Sequence, residues 1–583
     1  MTPGDPLCRV LTIDLSRRSF RVEERPELFA AGLGGTGVGI RLLDELCPPG
    51  TDPLGPDNPI ILAVGPLVGL YPLASKTVAM FKSPHTGNLG EGHAGGRSAV
   101  SIRMAGYGAV VIRGASSRPI YLVIEDGRVR FRDASALWGL STSATVGSVI
   151  RERESGSGYR SIMRIGPAGE KQVSYACVIV DTYRHFGRLG LGAVFGSKNL
   201  KGIVVIGKRA LPTVDPRGYR KVYDEIFRAA TASPLMKKYH ELGTPMNVLP
   251  LNELGALPTR NLQQTRFDGA PEISGERLAE TVLGRRLACA HCPVACIHLA
   301  ALRIPHPKEP YFYKTAMVGY DYEPIYSLGT MLGISSSTGL LELIDEVESQ
   351  GLDAMSTGVV LAWATEALEK GLISTAETDG IALSFGDYAG YIAAVRRIVT
   401  QPNEFYRALA NGAEHAASIY GGLDFALTFG KNEMPGYHTG PGAALTFLAG
   451  ARHSHLDSAG YSVDQKAAAS GERLSPDALA ERLLAEESWR QVLSSLVVCF
   501  FSRGIYSPQV VAEALQPVGI EMDADGLRDF GRDVLARKHA FKAREGFDVT
   551  QVRIPHRILE TPTPLGRIEE SYLRKALEKF RSA

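Results

Sequence analysis

Three of the chain's seven cysteines, Cys289, Cys292 and Cys296, fall within eight residues in CAHCPVAC, a C-x2-C-x3-C spacing. Three soft thiolates on one tight loop can bind three corners of an iron–sulfur cube or three positions of a tetrahedral zinc. Either centre needs a fourth ligand from elsewhere. Cys499 is the obvious candidate, and for zinc His291 or His298 is the alternative. A reactive CxxC pair is the weaker reading, because nothing around the loop reads as a thioredoxin-like βαβ unit. Cys8, Cys47 and Cys177 are scattered, and the odd total argues against a disulfide framework.

A second group of residues suits proton chemistry. Glu323 lies in GYDYEPIYSLG among Tyr320, Tyr322 and Tyr326. A carboxylate in aromatic surroundings is one route to a raised pKa and to general acid/base work. The plain alternative is a helix-start or surface glutamate. His453 and His455, two apart in GARHSHLDSAG, are either ligands and proton carriers or satisfied loop histidines.

Three glycine-rich stretches follow the same double reading. Gly32, Gly34 and Gly37 match G-x-G-x-x-G, but Arg25 to Ala31 contains Pro26 and does not read as a buried strand. The strand–turn–helix context of a dinucleotide site is therefore missing, and a glycine turn holding another phosphate-bearing group fits better. Lys82 to Ser98 has the composition of an anion-binding loop or of a plain surface loop. Gly187 to Ile203 puts Arg188 at the head of a turn whose backbone N–H groups could cradle phosphate, or which could be a structural crossover.

The elements that must carry these residues change character along the chain. Up to about residue 211 the pattern is mostly strand, in short runs such as VLTIDL, SFRVEE, PIILAV, TVAMF and AVVIRG. YLVIEDGRVRF carries Asp126-Gly127 between two alternating runs, a hairpin signal. SIMRIG, VSYACVIV and KGIVVIG complete the set. After 212, STGLLELIDEVESQ, VVLAWATEALEKG and SPDALAERLLAEESWRQVLSSLVVCFF repeat apolar residues at the helical period, the last opening with a Ser475-Pro476 cap pair. The expected class is α+β: a β-rich N-terminal base over 1–211, a helical domain with the cysteine loop over 212–420, and a helical C-terminal domain with the fourth cysteine over 421–583.

Composition narrows the function. At 583 residues the chain is too long for one ordinary core, and 44% apolar with 22% charged residues is ordinary for a globular protein. Sixty-four Lys and Arg against 62 Asp and Glu leave +2, which offers no bulk field for nucleic acid and no polybasic membrane patch. No apolar run is long enough to cross a bilayer, since Pro59 to Ala74 is broken by Gly65, Pro66, Gly69 and Pro72. The first ten residues carry no basic-then-apolar signal pattern, so a cytoplasmic location is expected.

Taken in order, the motifs resemble the aldehyde:ferredoxin oxidoreductase family, the tungsten (sometimes molybdenum) bis-pterin enzymes. The resemblance runs over nearly the whole chain: RVLTIDL, GGTGVG, DPLGPDNPIILAVGPLVG, FKSPHTG, GPAGE, GRLGLGAVFGSKNLKGI, the cysteine loop, YEPIYSLG, GLDAMSTG and VVCFF. It implies a β-rich base under two pterins, closed over by two helical domains. It also implies one [4Fe–4S] cluster on Cys289, Cys292, Cys296 and Cys499, with the tungsten or molybdenum held by the pterins alone. Lys76 corresponds to the family's cation between cluster and pterin. Arg188 and Leu189, with Gly95, Gly96 and His93 opposite, fall in the pterin-phosphate and Mg2+ region. The family's D-x-x-G-L-C/D pterin pattern occurs twice in loose form. Glu348 to Asp353 carries Gly351, Leu352 and Asp353, and Ser494 to Cys499 carries Val498. Thr36, Leu189 and His93 depart from the common family residues at their positions.

The resemblance also assigns the acid/base role to Glu323 and a neighbouring role to either His453 or His455. The implied reaction oxidises a small aldehyde to a carboxylic acid and passes electrons singly to ferredoxin or a partner iron–sulfur subunit. A homo-oligomer is possible. One branch of the family, the benzoyl-CoA-reductase-like enzymes, reduces an aromatic thioester ring with a protein cysteine on the metal; residues 297–498 contain no cysteine, which favours aldehyde oxidation. A non-catalytic zinc- or cluster-bearing scaffold is the rival from another class.

Overall fold

The computed structural model describes residues 5–140, 143–306 and 308–581. The chain divides into two compact units, neither continuous in sequence. The first comprises Met1–Lys237, Ala288–Val294 and Ala485–Phe547; the second comprises Lys238–Leu287, Ala295–Leu484 and Asp548–Ala583. The packing thus groups the chain differently from three consecutive segments, because part of the cysteine loop and the 485–547 helices fold with the strands.

Two six-stranded sheets dominate the first unit, as the alternating N-terminal runs require. One contains β1 (Arg9–Asp14), β2 (Ser19–Glu24), β3 (Ile60–Ala63), β4 (Thr77–Lys82), β5 (Leu89–Ala94) and β6 (Ala109–Arg113), in the order β2-β1-β6-β3-β4-β5. The other contains β7 (Ile120–Glu125), β8 (Arg128–Asp133), β9 (Tyr159–Arg164), β10 (Val178–Val180), β11 (Arg184–Phe186) and β12 (Leu200–Gly207), in the order β11-β10-β9-β12-β7-β8. Within the first sheet β1 and β6 are parallel, and in the second β7 and β12 are parallel. Asp126-Gly127 makes the expected hairpin turn, with Gly127 at φ 66° and Glu125 opposite Arg128. One face of the second sheet shows the period-two rule directly. Tyr121 and Val123 of β7, Ile162 of β9 and Val204 and Ile206 of β12 bury against Val146 and Ile150, one turn apart on the helix Ser143–Arg153.

Three features depart from the sequence reading. The glycine-rich stretch after Lys82 is not a loop throughout: it returns as β5, antiparallel to β4 with Val78 opposite His93 and Met80 opposite Glu91. The segment before G-x-G-x-x-G agrees with the reading that it is no buried strand: it is a helix, Pro26–Gly32, followed by the helix Gly35–Leu46. The strand read as VSYACVIV is only Val178–Val180 long. The long C-terminal helix runs Pro476–Ser495 and stops short of VVCFF, because the residues after it pair with another stretch of chain described below.

The second unit is mainly helical, with one three-stranded antiparallel sheet that the pattern did not predict: β13 (Leu283–Leu287), β14 (Ile297–His306) and β15 (Glu309–Tyr320). The helices Ser337–Gln350 and Ala354–Glu369 lie where the 3.6-residue period put them. No helix among the described residues is long and apolar enough to cross a membrane.

Candidate active site

In the first unit, the cysteine loop and Cys499 are brought to one strip of chain. Leu73 donates its amide to the carbonyl of His291 (3.1 Å) and accepts at its own carbonyl from the Cys499 amide (2.9 Å). Val498 bridges Ala74 in antiparallel fashion, and the Lys76 amide donates to Val497 at 3.2 Å. These bonds explain why the helix ends at Ser495: the next residues are claimed by a ladder to Leu73–Lys76. The loop is also pinned from its other side, since the Ala290 amide donates to Gly96 at 2.9 Å. Its turns require left-handed backbone at two non-glycine positions, His291 (φ 56°) and Ala295 (φ 54°), and Leu73 adopts φ 66°. Such conformations cost free energy and persist where the surroundings over-determine them.

Gly95 supplies the test of whether a thiolate-held group fits here. A Cβ on Gly95 would stand 2.7 Å from Cys289 Sγ and 3.5 Å from both Lys76 Nζ and Arg184 Nε. The absent side chain thus leaves a cradle in which a sulfur and two cations meet. Cys296 belongs to the second unit, in the segment that begins at Ala295. Among the described residues, no group of three His, Cys, Asp or Glu side chains is arranged to hold a single metal ion. The two histidines weighed as zinc ligands are otherwise engaged. His298 faces the carbonyls of Cys296 (3.1 Å) and His240 (3.0 Å) with its two ring nitrogens, and His291 lies against Tyr159. Burial lowers the pKa of both.

Glu91 and His93 share one face of β5, two residues apart, and form the start of a buried polar network. His93 Nε2 lies 2.6 Å from Glu91 Oε1, which also accepts from Thr36 Oγ1 at 2.9 Å; Lys538 Nζ lies 2.5 Å from Glu91 Oε2. Glu91 and Lys538 gave no sequence signal beyond being charged, since their pairing depends on chain far apart in sequence. Gly92 packs on Phe186, its Cβ position 3.2 Å from the ring-bearing carbon, so β5 neighbours the turn with Arg188 and Leu189. Leu189 is left-handed (φ 70°), and its carbonyl accepts from Ser83 Oγ at 2.8 Å.

The glycines of the other two stretches are filled by protein backbone. A Cβ on Gly34 would meet Val64 O at 2.5 Å, and one on Gly35 would overlap the carbonyl of Ser494. In the third stretch, Gly190, Gly192 and Gly196 press on the backbone of Ser174, Cys177 and Gly169. Both are close chain-to-chain crossings, so the phosphate-holding reading of the G-x-G-x-x-G turn gives way to a packing one.

The two loose copies of D-x-x-G-L-C/D end their helices in the same way. Gly351 is left-handed (φ 78°) and Leu352 N donates to Val347 O at 3.1 Å; Val497 is left-handed (φ 55°) and Val498 N donates to Leu493 O at 2.9 Å. This is the six-to-one closure of a Schellman motif. Asp353 then caps the next helix, accepting from Ser356 N at 3.0 Å, while Glu348 sits in the preceding last turn.

In the second unit, Glu323 and His455 come together: His455 Nε2 lies 3.2 Å from Glu323 Oε1. Glu323 sits in a single helical turn, Tyr322–Pro324, which runs into a buried π-helix, Ile325–Thr330. π-helical turns are rare and recur at functional sites. Aromatic rings wall the pair. Tyr437 lies 5.1 Å from the His455 ring and 5.1 Å from Tyr322, and stacks on Tyr461 at 4.3 Å. Tyr322 donates to Gly436 O and Tyr326 to Met434 O, Tyr320 instead packing on His298. Burial, and next the nearby charge of Glu323, raise the Tyr322 and Tyr437 phenols well above their usual range, so both stay protonated. The sequence named Tyr322 and Tyr326 but not Tyr437 or Tyr461, which arrive from a separate stretch.

His453 is placed elsewhere. Its Nδ1 donates to Phe447 O at 2.8 Å, and its ring fills the space over Gly430. A left-handed turn at His453 (φ 53°) separates the two histidine directions. Asp457 fixes that loop by accepting from the amides of Arg452 and Ser454, each at 3.0 Å, and from Arg452 Nε at 2.7 Å. His455 Nδ1 is buried with no hydrogen-bond partner among the described residues.

Comparisons with known proteins agree in kind. The family model of the aldehyde ferredoxin oxidoreductase N-terminal domain matches residues 10–207, and that of the same family's domains 2 and 3 matches 221–583. A tungsten-containing aldehyde ferredoxin oxidoreductase of Thermococcus kodakarensis is 31% identical over 574 residues, 96% of this chain and 92% of that protein. The WOR-like subunit of an aliphatic sulfonate oxidoreductase of Pyrococcus furiosus is 30% identical over 425 residues, 70% of this chain and 66% of the relative. In fold, the chain is similar to a chain of the active-site complex BamBC of benzoyl coenzyme A reductase, with TM-score 0.80 at 20% identity, covering 99% of this chain and 98% of that one.

Proposed function

The chain belongs to the aldehyde ferredoxin oxidoreductase family, and from that premise we propose that it oxidises a small aldehyde to its carboxylic acid at a tungsten (or molybdenum) bis-pterin centre. Cys289, Cys292, Cys296 and Cys499 would hold one [4Fe–4S] cluster. Lys76, His93, Gly95, Gly96, Arg188 and Leu189 would meet the pterins and their Mg2+-bridged phosphates, together with Glu348, Gly351, Leu352, Asp353 and Val498. When bound, these groups supply the two-electron acceptor at the substrate and the one-electron relay outward. The final acceptor is ferredoxin or an iron–sulfur subunit.

The observation that carries the reading is the Glu323–His455 pair in its aromatic enclosure. Aldehyde oxidation needs an oxygen from water and a place for the protons released. Glu323 is the proton holder: its carboxylate takes a proton from the water that adds oxygen to the substrate, an effect worth roughly 10²–10⁴-fold. His455 positions that carboxylate through Nε2 and turns its Nδ1 toward a polar substrate atom. The tyrosines exclude bulk water and contribute rigid walls. Residues 297–498 contain no cysteine to bind the metal, which speaks against ring reduction.

Elemental analysis of anaerobically purified protein tests the proposal. About four irons and one tungsten or molybdenum per chain are expected, together with dye-linked oxidation of a panel of aldehydes. A colourless protein with one zinc, or one without either heavy metal, overturns it.

A further inference from the structure

The sheet of the second unit narrows to a two-stranded arm whose outer described residues are mostly exposed. β13 covers β14 only from Leu287 opposite Ile297 to Leu283 opposite Ala300. Beyond that β14 and β15 continue alone, from Leu302 opposite Ala316 to His306 opposite Glu309. Burial falls away over the same stretch, and from Arg303 outward neither strand has a fully buried residue among those described. Past Arg303 the free pair extends roughly 10–14 Å.

Three successive aromatic residues stand on this arm: Tyr311 is 92% exposed, Phe312 66% and Tyr313 50%. Alternation sends Tyr311 and Tyr313 to one face and Phe312 to the other. An isolated two-stranded hairpin is marginally stable in water, and three adjacent exposed aromatics are a large apolar surface to leave there. The local charge has a positive excess: Arg303, Lys308 and Lys314 against Glu309 and against Asp345 of the helix Ser337–Gln350, which lies near Lys314, with the Arg303 guanidinium 4.6 Å over the Tyr313 ring. Aromatic and arginine side chains are the commonest anchors of protein interfaces.

We propose that the β14–β15 tip is the docking arm for the electron-accepting protein, a small acidic iron–sulfur protein. Its carboxylates meet Arg303, Lys308 and Lys314, and an apolar recess takes Tyr311 and Tyr313. This rests on the proposed reading that electrons leave to a protein acceptor. The arm is rooted in the cysteine loop, because β14 starts at Ile297, the residue after Cys296. Charge favours that occupant, since a chain of net charge +2 gives a second copy no bulk attraction for a cationic arm. The two relatives, an aldehyde ferredoxin oxidoreductase and the WOR-like subunit of an aliphatic sulfonate oxidoreductase, fit a protein that hands electrons to another chain.

The test uses the full-length, metal-loaded protein, a small acidic two-cluster ferredoxin as probe, and the triple variant Tyr311→Ser, Phe312→Ser, Tyr313→Ser beside a Lys308→Glu, Lys314→Glu variant. Direct binding of ferredoxin by titration calorimetry at low salt is expected for the native protein and weaker by tenfold or more in each variant, with affinity falling as salt rises. The KM for ferredoxin should climb in step while dye-linked turnover stays unchanged. Unaltered ferredoxin binding in both variants, or none by the native protein, overturns the arm. So does a variant that binds ferredoxin normally but changes from dimer to monomer in sedimentation, which would assign the arm to a second copy. Loss of dye-linked oxidation in the native protein with ferredoxin binding intact would strike the proposed reaction and leave the arm standing.

Discussion

Leu73 and Cys499, distant in sequence, share a 2.9 Å backbone hydrogen bond, and the Leu73 amide reaches the cysteine loop at His291. One residue thus ties both cysteine-bearing stretches of the first unit to a common edge. Leu73→Pro removes the donor to His291 and forbids the φ of 66°. The expected result is loss of most of the iron with the far-UV circular dichroism retained. Full iron content by elemental analysis would dissociate Leu73 from the cysteine geometry.

Glu323→Gln keeps size and hydrogen-bonding capacity but cannot hold the proton. Metal content and melting temperature should match the native protein while aldehyde oxidation falls by at least about 10². Retained turnover removes Glu323 from the proposed chemistry.

The two histidines should separate by what they break. His455→Asn is expected to lower kcat with little change in melting temperature. His453→Ala empties the space over Gly430 and strands the Phe447 carbonyl, so its cost should be in stability, about 2–4 kcal/mol. Denaturation midpoints and kcat measured on both variants decide it, and an inverted pattern would exchange their roles.

Two buried groups of the second unit make opposite demands on pH. Asp464 accepts from Thr439 Oγ1, Gly442 N and Ala443 N, yet burial pushes its pKa up to about 6. The folded state then binds more protons than the unfolded chain between roughly pH 4 and 6, so this contribution weakens as pH rises through that window. His438, facing Thr561 O at 2.9 Å, is pushed down to about 4 by burial. Its unfolded form binds the extra proton, so its contribution is full above about pH 6.5 and is lost as pH falls toward 4. Each effect is about 3 kcal/mol and they oppose each other. Melting curves at pH 4 to 7 should therefore steepen toward instability in acid for Asp464→Asn, and reverse slope for His438→Gln. Parallel curves for the two variants would refute the assignment.

Gly35→Ala distinguishes packing from ligand binding at the G-x-G-x-x-G turn. The added methyl would overlap Ser494 O at a φ of 38°, so several kcal/mol of destabilisation is expected. A variant of native stability that had lost only phosphate-bearing ligand affinity would restore the ligand reading.

What the sequence revealed follows from how local each signal was. The strands of both sheets other than β5 and β11, and the helices Ser337–Gln350 and Ala354–Glu369, carry their own periodicity, and the cysteine spacing carries its own chemistry. The separate placement of His453 and His455 was beyond it, because it depends on one left-handed residue and on Asp457 gathering the loop. The return strand β5 was masked by glycines, which read as loop although they serve close packing. Tyr437 and Lys538 reach their partners only through tertiary structure, and no spacing in the sequence encodes that.

The wide turn from Ile325 to Thr330 makes register a functional quantity. It stays anchored at its far end, where Thr330 donates to Pro258 O at 2.7 Å. Deleting one residue within it would let the coil rewind to 3.6 residues per turn and would swing everything upstream by about 100°. Glu323 would then face away from His455, with every side chain still present and the enclosure facing the wrong way.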